Sequence, residues 1–222
     1  MAVAAATLLC ACNTGGKYET DGKYVYQTYW TFSFGTMHDT LPEADASTFV
    51  AVKDWLGYDA RHAYFKNRLI EGADVASLKA KHYPLCRDRR DYYYMGRAMH
   101  VADVEKFKVL KWSDDDCWAI DGHAAYYDST RFDVDIATFK VRSWCHATDK
   151  DHVYRYGRIL EGADPATYEE EWKGYYSRDK AHIWYIGELI EDADYATFVV
   201  DGDSDAHDAH GKFHGARRIT NE

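Results

Sequence analysis

Proline is scarce in this chain, 3 among 222 residues, and no Gly/Ser-rich stretch interrupts it. A flexible linker between separate domains is therefore not expected. Basic residues are outnumbered, 27 against 37 acidic, for a net charge of −10. A nucleic-acid backbone wants a basic face, so nucleic acid is excluded as an expected partner. Charge-driven binding to an anionic membrane surface is excluded on the same ground. The apolar run MAVAAATLLCAC, residues 1–12, is too short to span a bilayer. No serine sits in a nucleophile-elbow pattern, no phosphate-binding loop is present, and no Cys-x-x-Cys pair exists. No catalytic residue, metal or cofactor is expected from motifs, and a non-enzymatic protein is.

What the chain has is aromatics and a period. Aromatic residues make up 16% of it, with 19 Tyr and 7 Trp, which suits half-buried pleated surfaces. An opening Asp recurs at Asp59, Asp88, Asp121, Asp149, Asp179 and Asp208, with gaps of 29, 33, 28, 30 and 29 residues. A second Asp follows at Asp74, Asp103, Asp135, Asp164 and Asp194, and four places later a large apolar side chain: Leu78, Phe107, Phe139, Tyr168, Phe198. Self-similarity of this length indicates one supersecondary unit used repeatedly.

The copy Asp149–Asp179 shows the unit most clearly. His152 to Tyr156 is rich in β-branched and aromatic residues, and Gly157 follows. The same place holds Asn67, Gly96, Ser129 and Gly187 in other copies. Gly and Asn tolerate the positive φ of the second position in a type I′ hairpin turn, and Ser129 fits less well. The return strand carries Leu160, matched by Ile70, Met99, Phe132 and Ile190. Asp164-Pro165-Ala166-Thr167-Tyr168 then reads as a capped turn, with Asp164 accepting amides two and three residues on and the aromatic folding into the core. A further extended stretch, about 170–176, leads to the next Asp. The first copy, from Asp21, has a longer hairpin loop, and an insertion near 112–120 carries Asp114, Asp115 and Asp116. The fold class expected is all-β, about six tandem repeats of roughly thirty residues, each a tight hairpin, a capped turn and a further short strand. Both a linear array and a small propeller-like arrangement satisfy it.

DKDHVYRYG (149–157) and DKAHIWYIG (179–187), each followed by a GAD- or DAD-like turn, resemble the DKNYY family of bacterial repeat proteins. The resemblance runs over nearly all of the chain after Asp21 and implies no catalytic residue. Leu9-Cys10-Ala11-Cys12 is similar to a bacterial lipobox, although no Lys or Arg precedes the apolar run. That resemblance implies a signal-like segment over 1–11, lipidation of Cys12 and a tether over 12–20, and the repeats make one β-repeat domain over 21–222. The lipobox resemblance places the protein on the bacterial cell envelope, lipid-anchored and facing the periplasm or cell surface. In such a compartment disulfides persist. Cys117 and Cys145 lie four residues before opening Asp residues of adjacent copies and make a candidate bridge, with free buried thiols, Cys86 among them, as the alternative.

Other clusters have plain readings. His207, Asp208, His210 and His214 match no established zinc spacing. Asp201, Asp203 and Asp205 lack the Gly and Glu of a calcium loop, whose places hold Ala206 and Lys212. His62, His152 and His182 recur three after an opening Asp, as structural side chains do. The expected role is a binding or scaffold surface for a protein or glycan partner. A carbohydrate-binding module, from exposed Tyr and Trp, and a hydrolase, from a carboxylate pair, are the alternatives.

Overall fold

The computed structural model describes residues 16–113, 116–171 and 175–219. Cys12 and the signal-like segment, with Asp114 and Asp115, lie outside these residues. The described chain is nearly all β, with seven antiparallel sheets in tandem and no closed barrel. It divides into two compact units, Met1–Val104 and Glu105–Glu222.

The first unit carries sheets over 16–41, 50–70 and 79–98, and the second carries sheets over 108–132, 140–159, 169–189 and 199–218. The first sheet has three strands and every other has four, in sequential order. Seven sheets arise where about six were expected, because the looser first copy forms a sheet of its own around Asp21. Its first strand, Gly16–Thr20, pairs with Val25–Tyr29, so the stretch read as tether is β-structure from Gly16 onward. Strand number per copy is also corrected. The last extended stretch of a copy doubles back: Glu169–Glu171 pairs with Tyr176–Arg178, which pairs with Ile183–Tyr185 and then Glu188–Leu189. Each four-stranded sheet therefore takes two strands from one copy and two from the next. Strands of two to four residues are marginal alone, and this overlap makes neighbouring copies depend on one another.

The two-residue hairpin turns are present, as pairs Phe65↔Arg68, Tyr94↔Arg97, Tyr127↔Thr130, Arg155↔Arg158 and Tyr185↔Glu188. At three turns both central residues have positive φ: Met95 48° and Gly96 76°, Tyr156 50° and Gly157 72°, Ile186 51° and Gly187 83°. At the other two, the left-handed residue is the first, Lys66 (52°) or Asp128 (54°), and not Asn67 or Ser129. Asn67 instead donates its amide to Asp39, 2.8 Å away. Glycine at the second position also permits close stacking. A Cβ on Gly96 would meet Phe65 Cβ at 2.7 Å, and one on Gly157 would meet Tyr127 Cβ at 2.8 Å.

In the first unit, Val25, Leu41 and Tyr64 join the first two sheets, and Trp55, Leu56, Phe65, Cys86 and Tyr93 join the second to the third. In the second unit, Trp118 packs with Ala147 and Tyr154, Val153 and Leu160 with Tyr168 and Trp184, and Tyr176 and Ile183 with Phe198 and Phe213. Burial of each such large side chain contributes about 1.5–3 kcal/mol. The side chain four after the second Asp enters these cores, as Phe49, Leu78, Phe139, Tyr168 and Phe198 show.

Candidate functional site

The recurring carboxylates are the first candidates for chemistry, and the fold uses them internally. Asp149 is typical. Its Oδ1 accepts the amides of Asp151 and His152 at 2.8 and 2.7 Å, and its Oδ2 accepts the Tyr154 hydroxyl at 2.7 Å and the Asp135 amide at 2.9 Å. Asp88 does the same with Arg90, Asp91, Tyr93 and Asp74, at 2.6, 2.9, 2.8 and 2.6 Å. Asp59 repeats the set with Arg61, His62, Tyr64 and Asp45. One oxygen thus closes the turn between two strands, and the other ties the Tyr five residues on to the second Asp of the copy before. Burial pushes the Asp59, Asp88, Asp149 and Asp179 carboxyls up, but these donors outweigh it and each is held below the usual carboxylate range.

A second lock lies beside the first. At five of the six opening Asp residues the next amide donates to a hydroxyl three residues past the second Asp: Ala60 to Thr48 (3.2 Å), Arg89 to Ser77 (3.0 Å), Lys150 to Thr138 (3.0 Å), Lys180 to Thr167 (3.2 Å) and Ala209 to Thr197 (2.9 Å); Asp121 has Lys106 at that place. The second Asp caps its turn as expected, taking amides of Ser47, Thr138, Ala166 or Ala196. Asp74 departs: its side chain makes no backbone cap bond and takes the Ser77 hydroxyl at 2.7 Å. Sequence reasoning missed the Ser/Thr role, although the hydroxyl recurs in register.

His62, His152 and His182 lie over their own opening Asp, Nδ1 to carboxylate 3.6, 3.8 and 3.3 Å, and against the aromatic two residues on. The contact lies within one turn, a structural use. Near the C-terminus the ligand types pair off separately. His207 Nδ1 meets Asp201 at 2.7 Å, His214 Nδ1 meets Asp205 at 2.9 Å, and Asp208 is taken by Arg218. Asp116 accepts the Tyr127 hydroxyl. Cys86, Cys117 and Cys145 are all free. The candidate Cys117–Cys145 bridge is not formed, because Cys117 is enclosed in the core and Cys145 turns its sulfur toward Ser143 and His146.

That turn leads to a cluster that departs from the repeat. Three residues before an opening Asp stand buried Leu56, Leu85, Trp118 and Tyr176 and exposed Asp205, and here stands His146, polar yet 1% exposed. Six residues after a second Asp stand Ala51, Ala80, Val109, Val141 and Val200, and here stands Glu170. His146 Nδ1 lies 3.2 Å from Cys145 Sγ and 3.2 Å from Glu170 Oε2. Ser143 Oγ is 3.6 Å from the same sulfur and accepts the His146 amide at 3.1 Å. His146 Nε2 is buried without a partner. Burial pushes the Cys145 thiol up, yet the His146 contact brings it below its ordinary value. Burial disfavours charge on His146, yet Cys145 and Glu170 raise it, and Glu170 is correspondingly lowered against its own burial. A nucleophile–base–orienter chain needs its two partners on opposite ring nitrogens. Here both meet at Nδ1, so the geometry is not that of such a chain. Sequence reasoning took Cys145 as a disulfide partner or a free packed thiol, and the thiol is free. A polar residue at an apolar repeat position was the signal available.

Among the described residues, exposed aromatics concentrate at one further place, the tip of the first sheet. Trp30, Phe32 and Phe34 are 60%, 94% and 79% exposed. Thr31 pairs with Gly35, and the Thr31 hydroxyl accepts the Phe34 amide at 3.2 Å, which holds the tip in shape. Trp30 and Phe32 meet edge to face, 5.7 Å apart at 81°.

A family model described as the DKNYY family matches residues 6–97 and 119–188. No curated protein and no solved structure matches the chain.

Proposed function

The chain belongs to the DKNYY family, and from that premise we propose that it is a non-enzymatic binding or scaffold protein of the bacterial envelope, anchored by lipid at Cys12. The observation that carries the binding role is the aromatic tip. Phe32 and Phe34 are held exposed by a closed turn, and they serve no core. Exposed apolar groups of this size mark interaction sites. The repeat carboxylates, by contrast, are occupied by turn amides and tyrosines, which supports a structural use for the acidic residues rather than an acid–base pair. The edge-to-face geometry of Trp30 and Phe32 offers no flat platform to a sugar ring, so a protein partner is the reading.

A photo-crosslinking residue at position 32 tests the binding role, with exposed Lys53 as control site. An adduct with another protein from position 32 and none from position 53 is expected. Failure of both sites to give one would overturn the reading. Anchoring is tested separately: Cys12→Ser should move the protein from the membrane to the soluble fraction, and continued membrane retention would refute lipidation there.

A further inference from the structure

We propose that Cys145 Sγ, His146 Nδ1 and Glu170 Oε2 form a binding site for a first-row divalent cation of the zinc type. The three atoms lie within 4.8 Å of one another, and among the described residues they make up the group of metal-ligating side chains so gathered. Thiolate, imidazole and carboxylate are the donor types zinc takes. Ligands at usual zinc distances around a tetrahedral centre stand roughly 3.3–3.6 Å apart. The 3.2 Å contacts from Nδ1 to sulfur and to oxygen are near that spacing.

Charge and hydrogen bonding point the same way. Nδ1 has either one hydrogen or one lone pair, so it satisfies one neighbour well and shares imperfectly between two. A cation inside the triangle takes a lone pair from all three. Deprotonated Cys145 and Glu170 with neutral His146 carry two negative charges, which a divalent ion neutralises, whereas buried charge left unpaired is costly. The location is built for entry: Cys145 is half-buried, and the Glu170 side chain is 18% exposed while His146 is sealed beneath at 1%. Three protein ligands leave a fourth position for water.

The repeat itself supplies the control. His146→Leu/Glu170→Val installs residue types that neighbouring copies hold at the same places, Leu56 and Leu85, and Val141 and Val200, so the double variant keeps the fold. Purified full-length protein, loaded with Zn²⁺ and passed through gel filtration, should retain one equivalent by elemental analysis. Co²⁺ should give a thiolate-to-metal charge-transfer band. The double variant should retain none, and Cys145→Ser should lose the band and bind at least tenfold more weakly. Added Zn²⁺ should raise the melting temperature of the native chain and leave the double variant unmoved. Cys10 and Cys12 are common to all these proteins and cancel in the comparison. Equal retention by the native chain and the double variant, including none by either, would overturn the site. Loss of the equivalent on His207→Ala/His210→Ala/His214→Ala instead would overturn it too, by assigning the metal to the C-terminal histidines.

Discussion

Arg218 grips Asp208 with both ends of its guanidinium, Nη1 to Oδ1 and Nη2 to Oδ2, each at 2.7 Å. In the copies opening at Asp59, Asp88, Asp121 and Asp149 the Tyr five residues on donates to that carboxylate, as Tyr154 does to Asp149. In the last copy that place is Phe213, and the Arg218 guanidinium lies over its ring at 4.3 Å. Arginine has taken over the task of a missing hydroxyl.

The substitution can therefore be reversed. Arg218→Ala should lower the melting temperature by several degrees, with the loss confined to the 199–218 sheet in hydrogen exchange. Phe213→Tyr in the same chain should restore part of it. No recovery would mean that the hydroxyl and the guanidinium are not equivalent.

The Asp–Tyr lock has a graded cost. Tyr154→Phe removes one hydrogen bond to a buried carboxylate and should destabilise by about 1–2 kcal/mol. Asp149→Ala strands the donors of Asp151, His152, Tyr154 and Asp135 and should cost about 3–5 kcal/mol. Urea unfolding of both variants measures the difference. Equal losses would refute the four-donor account.

Acid should unfold the protein by the same groups. The Asp59, Asp88, Asp149 and Asp179 carboxyls are held below their ordinary values by amide and hydroxyl donors that outweigh burial. A carboxyl with a lowered folded pKa contributes stability above the unfolded value, about 3.9, and loses it as pH falls through the folded one. Urea midpoints should thus hold from neutral pH to about pH 5 and drop steeply below about pH 4. Asp88→Asn/Asp149→Asn should start lower and fall less steeply with acid.

Thiol reactivity should separate by position. Burial pushes Cys86 and Cys117 up to about 12, and both are fully enclosed. Neither should alkylate in the native state near neutral pH, where the half-buried Cys145 should, as peptide mass mapping will show. Saturating Zn²⁺ should protect Cys145 and leave the rest unchanged.

Much of this fold is legible in one dimension because the repeat places the same residue types at the same phase. Recurrence places Tyr154 in a strand, Gly157 in a tight turn and Tyr168 in the core, and they occupy those places. Doubling of the last stretch was not legible, since two strands of two or three residues show no period-2 signal long enough to read. The Cys145–His146–Glu170 trio escaped for a different reason. Its members come from two copies, 25 residues apart from Cys145 to Glu170, and His146 and Glu170 look unremarkable until aligned with the residues that hold their places in other copies.

Local chemistry determined by sequence alone includes the all-β class, the period, the left-handed turns at Gly96, Gly157 and Gly187, and the Asp-capped turns. These depend on contacts within a few residues, which any copy carries with it. Tertiary structure alone decided which copies share a sheet, that Asp149 Oδ2 reaches back to the Asp135 amide, and that Glu170 meets His146. Those contacts depend on how one copy lies against the next, and the backbone path between them is set by packing of side chains such as Tyr154, Tyr168 and Trp184, not by any residue read singly.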